Sequence, residues 1–172
     1  DEIEPEQLIR QADQAMYQAK QAGKNRFYVF DAEHDRAVRG HHESLERIRD
    51  ALANDEFVLY YQPKVNMATG EVVGVEALIR WQHPERGLLA PAAFLPVIQQ
   101  HPLAIELGEW VLAKALDQFT AWASAGIHLP VSVNIDAIHF QQADFVERLR
   151  AEIARHPDVV SGDLMLEVLE TN

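Results

Sequence analysis

Val73-Gly74-Val75-Glu76-Ala77-Leu78-Ile79-Arg80-Trp81 reads as a β-strand with two unlike faces. Val73, Val75, Ala77, Ile79 and Trp81 fall on one side, and Glu76, Leu78 and Arg80 on the other, following the two-residue period of an extended chain. A carboxylate in so apolar a run is costly to bury unless a cation or a hydrogen-bond donor lies against it. Four residues of strand span roughly 13 Å, so Glu76 and Arg80 can engage two ends of one ligand. The same pattern also describes an amphipathic strand whose Glu/Arg side is simply solvated. The stretch alone does not separate the two readings.

Composition narrows the field. The 172 residues are 48 % hydrophobic, enough to bury a core. They contain no cysteine, which excludes a disulfide framework and thiolate chemistry and suits a reducing cytoplasm. The acidic start, Asp1-Glu2-Ile3-Glu4, carries no signal-peptide pattern. The longest apolar run, 87–98, is interrupted by Pro91 and Pro96 and falls short of the ~20 residues of a membrane span. No membrane segment is expected in this piece. A formal charge of −12 opposes a nucleic-acid polymer. It favours a divalent cation, and leaves room for a single small nucleotide gripped by a few arginines.

Outward from the opening strand, helices and strands alternate. Ahead of it, 57–65 is strand-like and Ala68-Thr69-Gly70 turns the chain back toward Glu76. A helix capped by Asp31 and running to about Asn54 precedes that, with Val38, Leu45, Ile48 and Leu52 as its apolar stripe. Arg36, Arg39, Glu46, Arg47 and Asp50 cover its other side, and it reads either as a connector between domains or as an ordinary amphipathic helix. Earlier still, Pro5 opens a helix that Gly23 ends, followed by a short strand from Arg26 to Phe30. Beyond Trp81, His83 to Leu89 reads as a loop, Pro91 to Gln100 as a short helix, and Pro102 starts a long helix stopped by Gly126. A strand from Val131 to Ile135 follows. Next comes a helix with Phe145, Val146, Leu149 and Ile153 inward, broken at His156-Pro157, and a last strand from Leu164 to Leu169. This alternation predicts an α/β fold with parallel pairing.

Each later strand carries a polar residue where a buried strand should have none: Asn134 among Val131, Val133 and Ile135, and Glu167 among Leu164, Met165, Leu166 and Val168. On successive parallel strands such groups converge at the carboxyl ends, where barrel enzymes keep their chemistry. With Glu76 they make an all-oxygen set that suits Mg²⁺ or Mn²⁺ rather than zinc.

Tyr61-Gln62-Pro63, Glu76-Ala77-Leu78-Ile79-Arg80-Trp81, Val131-Ser132-Val133-Asn134 and Leu166-Glu167-Val168-Leu169-Glu170-Thr171 stand in the order and spacing of the EAL domain. From Phe57 onward the chain resembles that family. The resemblance implies a (β/α) TIM-type barrel that hydrolyses cyclic di-GMP to linear pGpG with two Mg²⁺ or Mn²⁺ ions in bacterial second-messenger signalling. It implies Glu76, Asn134 and Glu167 as metal ligands. Gln62, Leu78, Arg80 and Pro91 would then line the nucleotide, with Arg80 on a phosphate and Phe94 alongside. Upstream, Ala12-Asp13-Gln14-Ala15-Met16-Tyr17-Gln18-Ala19-Lys20 and Ala22-Gly23-Lys24-Asn25-Arg26 are similar to the closing helix and strand of a GGDEF (diguanylate cyclase) domain. In that family the positions matching Lys20 and Lys24 contact phosphate. The signature that names it is absent, so no cyclase activity is expected.

The expected organisation is a GGDEF tail over 1–30, a connecting helix over 31–55, and the N-terminal half of an EAL barrel over 56–172. Two positions depart from the family pattern: Leu169 replaces a threonine, and Asp136 stands where a serine is common. A full barrel takes about 250 residues, and the family's paired-aspartate motif, later lysine and further glutamate are not among these 172. The expectation is an incomplete barrel, inactive by itself, whose unpaired strand edge favours self-association. Two other readings stay open beside the phosphodiesterase: a non-catalytic cyclic di-GMP sensor and a protein-interaction module.

Overall fold

A computed structural model describes residues 32–168 and, ahead of them, the helical positions Glu6, Ile9, Ala12, Asp13, Ala15, Met16, Tyr17 and Lys20. The expected helix start at Pro5, its stop at Gly23, the strand from Arg26 to Phe30, the Asp31 cap and the stretch from Leu169 onward lie outside the described residues. Residues 1–44 form one compact unit and 45–172 another, and helix α1 (Ala32–Ala53) runs through the division. Among the described residues no helix is long and apolar enough to cross a membrane.

Within the second unit, β1 (Phe57–Val65) and β2 (Val72–His83) form an antiparallel hairpin. Asn66 builds its turn by accepting the amides of Ala68 and Thr69 at its side-chain oxygen, 2.9 and 3.3 Å away. Gly70 then takes φ 75°, a conformation in which a Cβ would be strained. β2 is long enough to hold two partners along its other edge. β3 (Gly87–Leu89) runs antiparallel beside Trp81 to His83, and β4 (Val131–Ile135) runs parallel beside Val75 to Ala77. Between them lie a 3₁₀ turn (Pro91–Ala93), α2 (Leu95–Ile98) and α3 (Leu103–Ser124). After β4 come α4 (Ala137–Phe140), α5 (Phe145–Ala154) and β5 (Leu164–Val168), which pairs parallel with β4. The path β1-β2-β4-β5 is an α/β sheet with a parallel run, an incomplete barrel.

Several local expectations need correction. His83 to Leu89 is a hairpin rather than a loop: His83 Nδ1 accepts the amides of Glu85 and Arg86, and Gly87 at φ 70° turns the chain back onto β2. The helix expected from Pro91 to Gln100 divides, because Phe94 leaves helical geometry at φ −138° and Pro96 restarts a single turn. The helix expected around Phe145 to Ile153 forms as α5, with the short α4 ahead of it, but Val146 faces solvent while Phe145 is buried. On α1 the buried stripe is Leu45, Ile48 and Ala51, whereas Val38 is exposed. Arg47, placed on its polar side, is half-buried and ion-paired to Glu56.

The apolar face of β2 explains the packing. Val75 and Ala77, with Val131, Val133 and Ile135 of β4, bury against Val111, Leu112, Ala115 and Phe119 of α3. Trp81 joins a second cluster with Phe57, Phe94, Ile98, Leu103 and the Leu45–Ile48–Ala51 stripe. Val73 lies beyond this contact and is exposed. Phe94 is 1 % exposed, in ring contact with Phe57 and Trp81; burying such a ring contributes about 1.5–3 kcal/mol.

Two contacts tie helices to this frame. Glu56 accepts from Arg47 Nη2 at 2.6 Å and from the Trp81 indole at 2.9 Å, with the Arg47 guanidinium over the indole ring. These bonds, Arg47 first, hold the Glu56 carboxyl below its ordinary pKa of 4.5. The stability it contributes is therefore complete above that value and is lost as pH falls through the lowered one. Elsewhere, Gly108 of α3 lets the His139 ring lie against the helix backbone, and a Cβ there would overlap Nδ1. Burial lowers the His139 pKa, so the ring packs neutral.

Urea unfolding as a function of pH checks the first contact. Glu56→Gln should lower stability by about 1 kcal/mol at neutral pH, with the gap from the parent closing below about pH 4.5. For the second, Gly108→Ala should cost about 1–3 kcal/mol, and less when His139 is also made alanine. Chemical denaturation of the three variants reads both numbers.

Candidate functional site

The face of the sheet turned away from the helices collects polar side chains from four strands. Strand parity puts Tyr60, Gln62 and Lys64 of β1 on it, with Glu76, Leu78 and Arg80 of β2, Ser132 and Asn134 of β4, and Met165 and Glu167 of β5. Register sets their heights. Gln62 lies opposite Glu76, Glu76 beside Ser132, and Asn134 beside Glu167. Glu76 is half-buried, and its Oε1 accepts from Asn134 Nδ2 at 2.8 Å. This is the donor that an apolar strand needs against its carboxylate. Among the described residues no cationic side chain is ion-paired with Glu76.

Glu167 is held differently. Lys64 Nζ pairs with Glu167 Oε1 and donates to Ser132 Oγ at 2.7 Å. The Lys64 ammonium, more than any other group, keeps the Glu167 carboxyl below its ordinary range. Lys64 and Ser132 were not among the residues singled out from the sequence. The available signal was period alone: each stands two residues from a chosen position, Gln62 and Asn134, on the same face.

Leu78, Pro91 and Asn134 line one cavity of about 290 Å³, with Asp136 at its polar end and Ala104, Leu107 and Gly108 of α3 behind. Asp136 accepts the amide of Ile138 at 2.8 Å and so caps α4. Arg80 stands apart from the carboxylates: its Nη1 donates to the Ile79 carbonyl, and the guanidinium lies 5.9 Å over the Tyr60 ring. Phe94, expected beside a nucleotide, is sealed in the core. Gln62 is exposed on β1. The face thus brings Glu76, Asn134 and Glu167 to neighbouring heights on three adjacent strands, and Arg80 one step beyond. Among the described residues no three His, Cys, Asp or Glu side chains converge as a cation site. The set here is two carboxylates and an amide.

The family model described as the EAL domain matches residues 45–172. The chain belongs to the EAL domain family. It is 37 % identical over 166 residues to the bifunctional diguanylate cyclase/cyclic di-GMP phosphodiesterase MucR of Pseudomonas aeruginosa, covering 96 % of this chain and 24 % of that protein. It is 43 % identical over 130 residues to the cyclic di-GMP phosphodiesterase PdeR of Escherichia coli, covering 76 % of this chain and 20 % of PdeR. The solved PaMucR phosphodiesterase, a c-di-GMP complex, superposes with a TM-score of 0.69 at 39 % identity, over 73 % of this chain and 51 % of that one. The chain spans about a quarter of the length of MucR and about half of the solved domain. The α/β architecture with its parallel strands is therefore that of an EAL domain in part.

In this EAL domain Asp136 supplies the helix-capping acceptor at the start of α4. Asp136→Ala should lower stability by about 1 kcal/mol while Asp136→Ser stays close to the parent, as urea midpoints would show.

Proposed function

We propose that these residues form part of a metal-dependent phosphodiesterase that hydrolyses cyclic di-GMP to linear pGpG, acting in the bacterial cytoplasm. Glu76, Asn134 and Glu167 are its metal ligands. The observation that carries the reading is the Glu76–Asn134 hydrogen bond, with Glu167 beside Asn134 on the next strand. An asparagine amide that donates to a carboxylate presents its oxygen instead after half a turn. The three side chains then offer only oxygen, the donor chemistry of Mg²⁺ or Mn²⁺, and on this observation the set fits such an ion. Bound there, the ion would polarise a phosphoryl oxygen and activate water. The chain's own contribution is to fix the carboxylates by strand register.

Arg80 supplies the phosphate contact. Its guanidinium has no carboxylate partner among the described residues and lies on the same face, one step past Glu76 and Leu78. Leu78 and Pro91, which share a cavity with Asn134, receive the apolar part of the dinucleotide, and Gln62, opposite Glu76, borders it. Residues 1–30 are read as a GGDEF tail and 31–55 as the connector; the match to the bifunctional MucR over 96 % of this chain supports that order. The 172 residues by themselves are proposed to be inactive. A sensor that never hydrolyses is the competing reading, and it predicts dinucleotide binding indifferent to metal.

Two substitutions in the longest available form of the protein separate the roles. Glu76→Gln should abolish pGpG formation and weaken Mn²⁺ binding by roughly tenfold or more, with the fold retained. Arg80→Ala should weaken cyclic di-GMP affinity by roughly 10- to 100-fold and leave Mn²⁺ affinity largely unchanged. Calorimetric titration with each ligand, alongside chromatographic detection of pGpG, provides the comparison. Normal metal affinity and normal turnover in Glu76→Gln would reject the assignment.

A further inference from the structure

The two carboxylates on the polar face are not equivalent. Glu76 is met by a neutral amide, whereas Glu167 is met by the ammonium of Lys64, which reaches it from β1, 103 residues away in sequence. We propose that Lys64 is a resident counter-cation and positioning residue, holding Glu167 against Ser132 and competing with a divalent ion for that carboxylate. This rests on the reading of Glu167 as a metal ligand.

The strand geometry aims Lys64 there. It follows Gln62 by two residues and so shares the face of Glu76. Its register partner on β2 is Gly74, so no side chain opposes it, and the β1–β2 register shifts immediately after it. Such irregularities redirect a side chain relative to a regular ladder. Ser132, at 3 % exposure, gives the ammonium a fixed acceptor at 2.7 Å, while Glu167 supplies the opposite charge. In ion-free protein this arrangement separates Glu167 electrostatically from Glu76. A divalent ion entering the same face would meet an open charge at Glu76 and an already neutralised one at Glu167. It must displace the lysine or bind with it nearby, and both weaken its hold. The Lys64 and Glu167 side chains are each a little over one-third exposed, so the pair itself adds little to folding. Lys64 can therefore be replaced without loss of the fold.

The test is Mn²⁺ titration followed by the electron paramagnetic resonance signal of the free ion, which needs no turnover. Lys64→Met should bind Mn²⁺ more tightly than the parent, by roughly fivefold to tenfold, because a positive charge close to the ion is gone. Lys64→Gln, which keeps a donor for Ser132 and guards against a folding defect in the methionine variant, should show the same gain. Lys64→Arg should stay within about twofold of the parent. In the double variant Lys64→Met with Glu167→Gln the gain should vanish. Unchanged or weaker Mn²⁺ binding in both neutral variants, with normal circular dichroism, overturns the proposal. A separate failure is visible in the single Glu167→Gln variant: if it binds Mn²⁺ as the parent does, or if the parent shows no saturable binding, the metal-ligand reading itself falls.

Discussion

Alternate side chains on one strand must serve two environments, and β2 meets that constraint with no slack. Val75, Ala77 and Trp81 are consumed by helices α1 and α3, so Glu76, Leu78 and Arg80 can project only to the other side. A slip of one residue would send a carboxylate and a guanidinium into a closely packed core and expose its aliphatic residues. Every neighbour of β2 is registered to avoid this. β1 pairs along almost its full length, β3 takes the far end of the other edge and β4 the near end. The position of Asn134 against Glu76, and of Glu167 beside Asn134, follows from those pairings rather than from any contact made for its own sake.

Electrostatics then differentiate what register has assembled. A face with two carboxylates and a net acidic chain would be repulsive if both were open. One is neutralised by an ammonium that Ser132 anchors, the other only softened by an amide. The Arg80 guanidinium is kept off both by its hydrogen bond to the Ile79 carbonyl and its seat over Tyr60. Positive charge is thus graded along the face, paired near Lys64 and open near Arg80.

Strongly patterned segments were legible in the residues. Val131 to Ile135 is legible at its observed limits, and the long helix after Pro102 to within two residues, ending at Ser124 just ahead of Gly126 at φ 78°. The two faces of the opening strand were also readable, because burial obeys a period of two wherever helices cover one side. What escaped depended on partners distant in sequence. A three-residue strand such as Gly87–Leu89 has no periodicity of its own and exists only because β2 offers an edge. Val38 and Val146 satisfy a helical stripe but face solvent, since no described element covers those turns. Lys64 lies inside the strand read over 57–65 with nothing to mark it; its role depends on Ser132 and Glu167, which only the folded sheet brings near. Phe94 matched a family position yet serves the core, a choice made by Phe57 and Trp81.

Gly74 shows how far such dependence reaches. Its missing side chain lets β2 approach the end of the loop before β4, where the Val75 amide donates to the Pro130 carbonyl at 2.8 Å; an added Cβ would stand 2.9 Å from that oxygen. The parallel pairing of β2 with β4 begins at this point. A methyl group at position 74 would touch neither ligand nor carboxylate, yet it would lift Asn134 away from Glu76 by prising the strands apart. A loss of ligand binding caused by a substitution at that glycine would reflect a displaced strand, two residues from Glu76, rather than a lost contact.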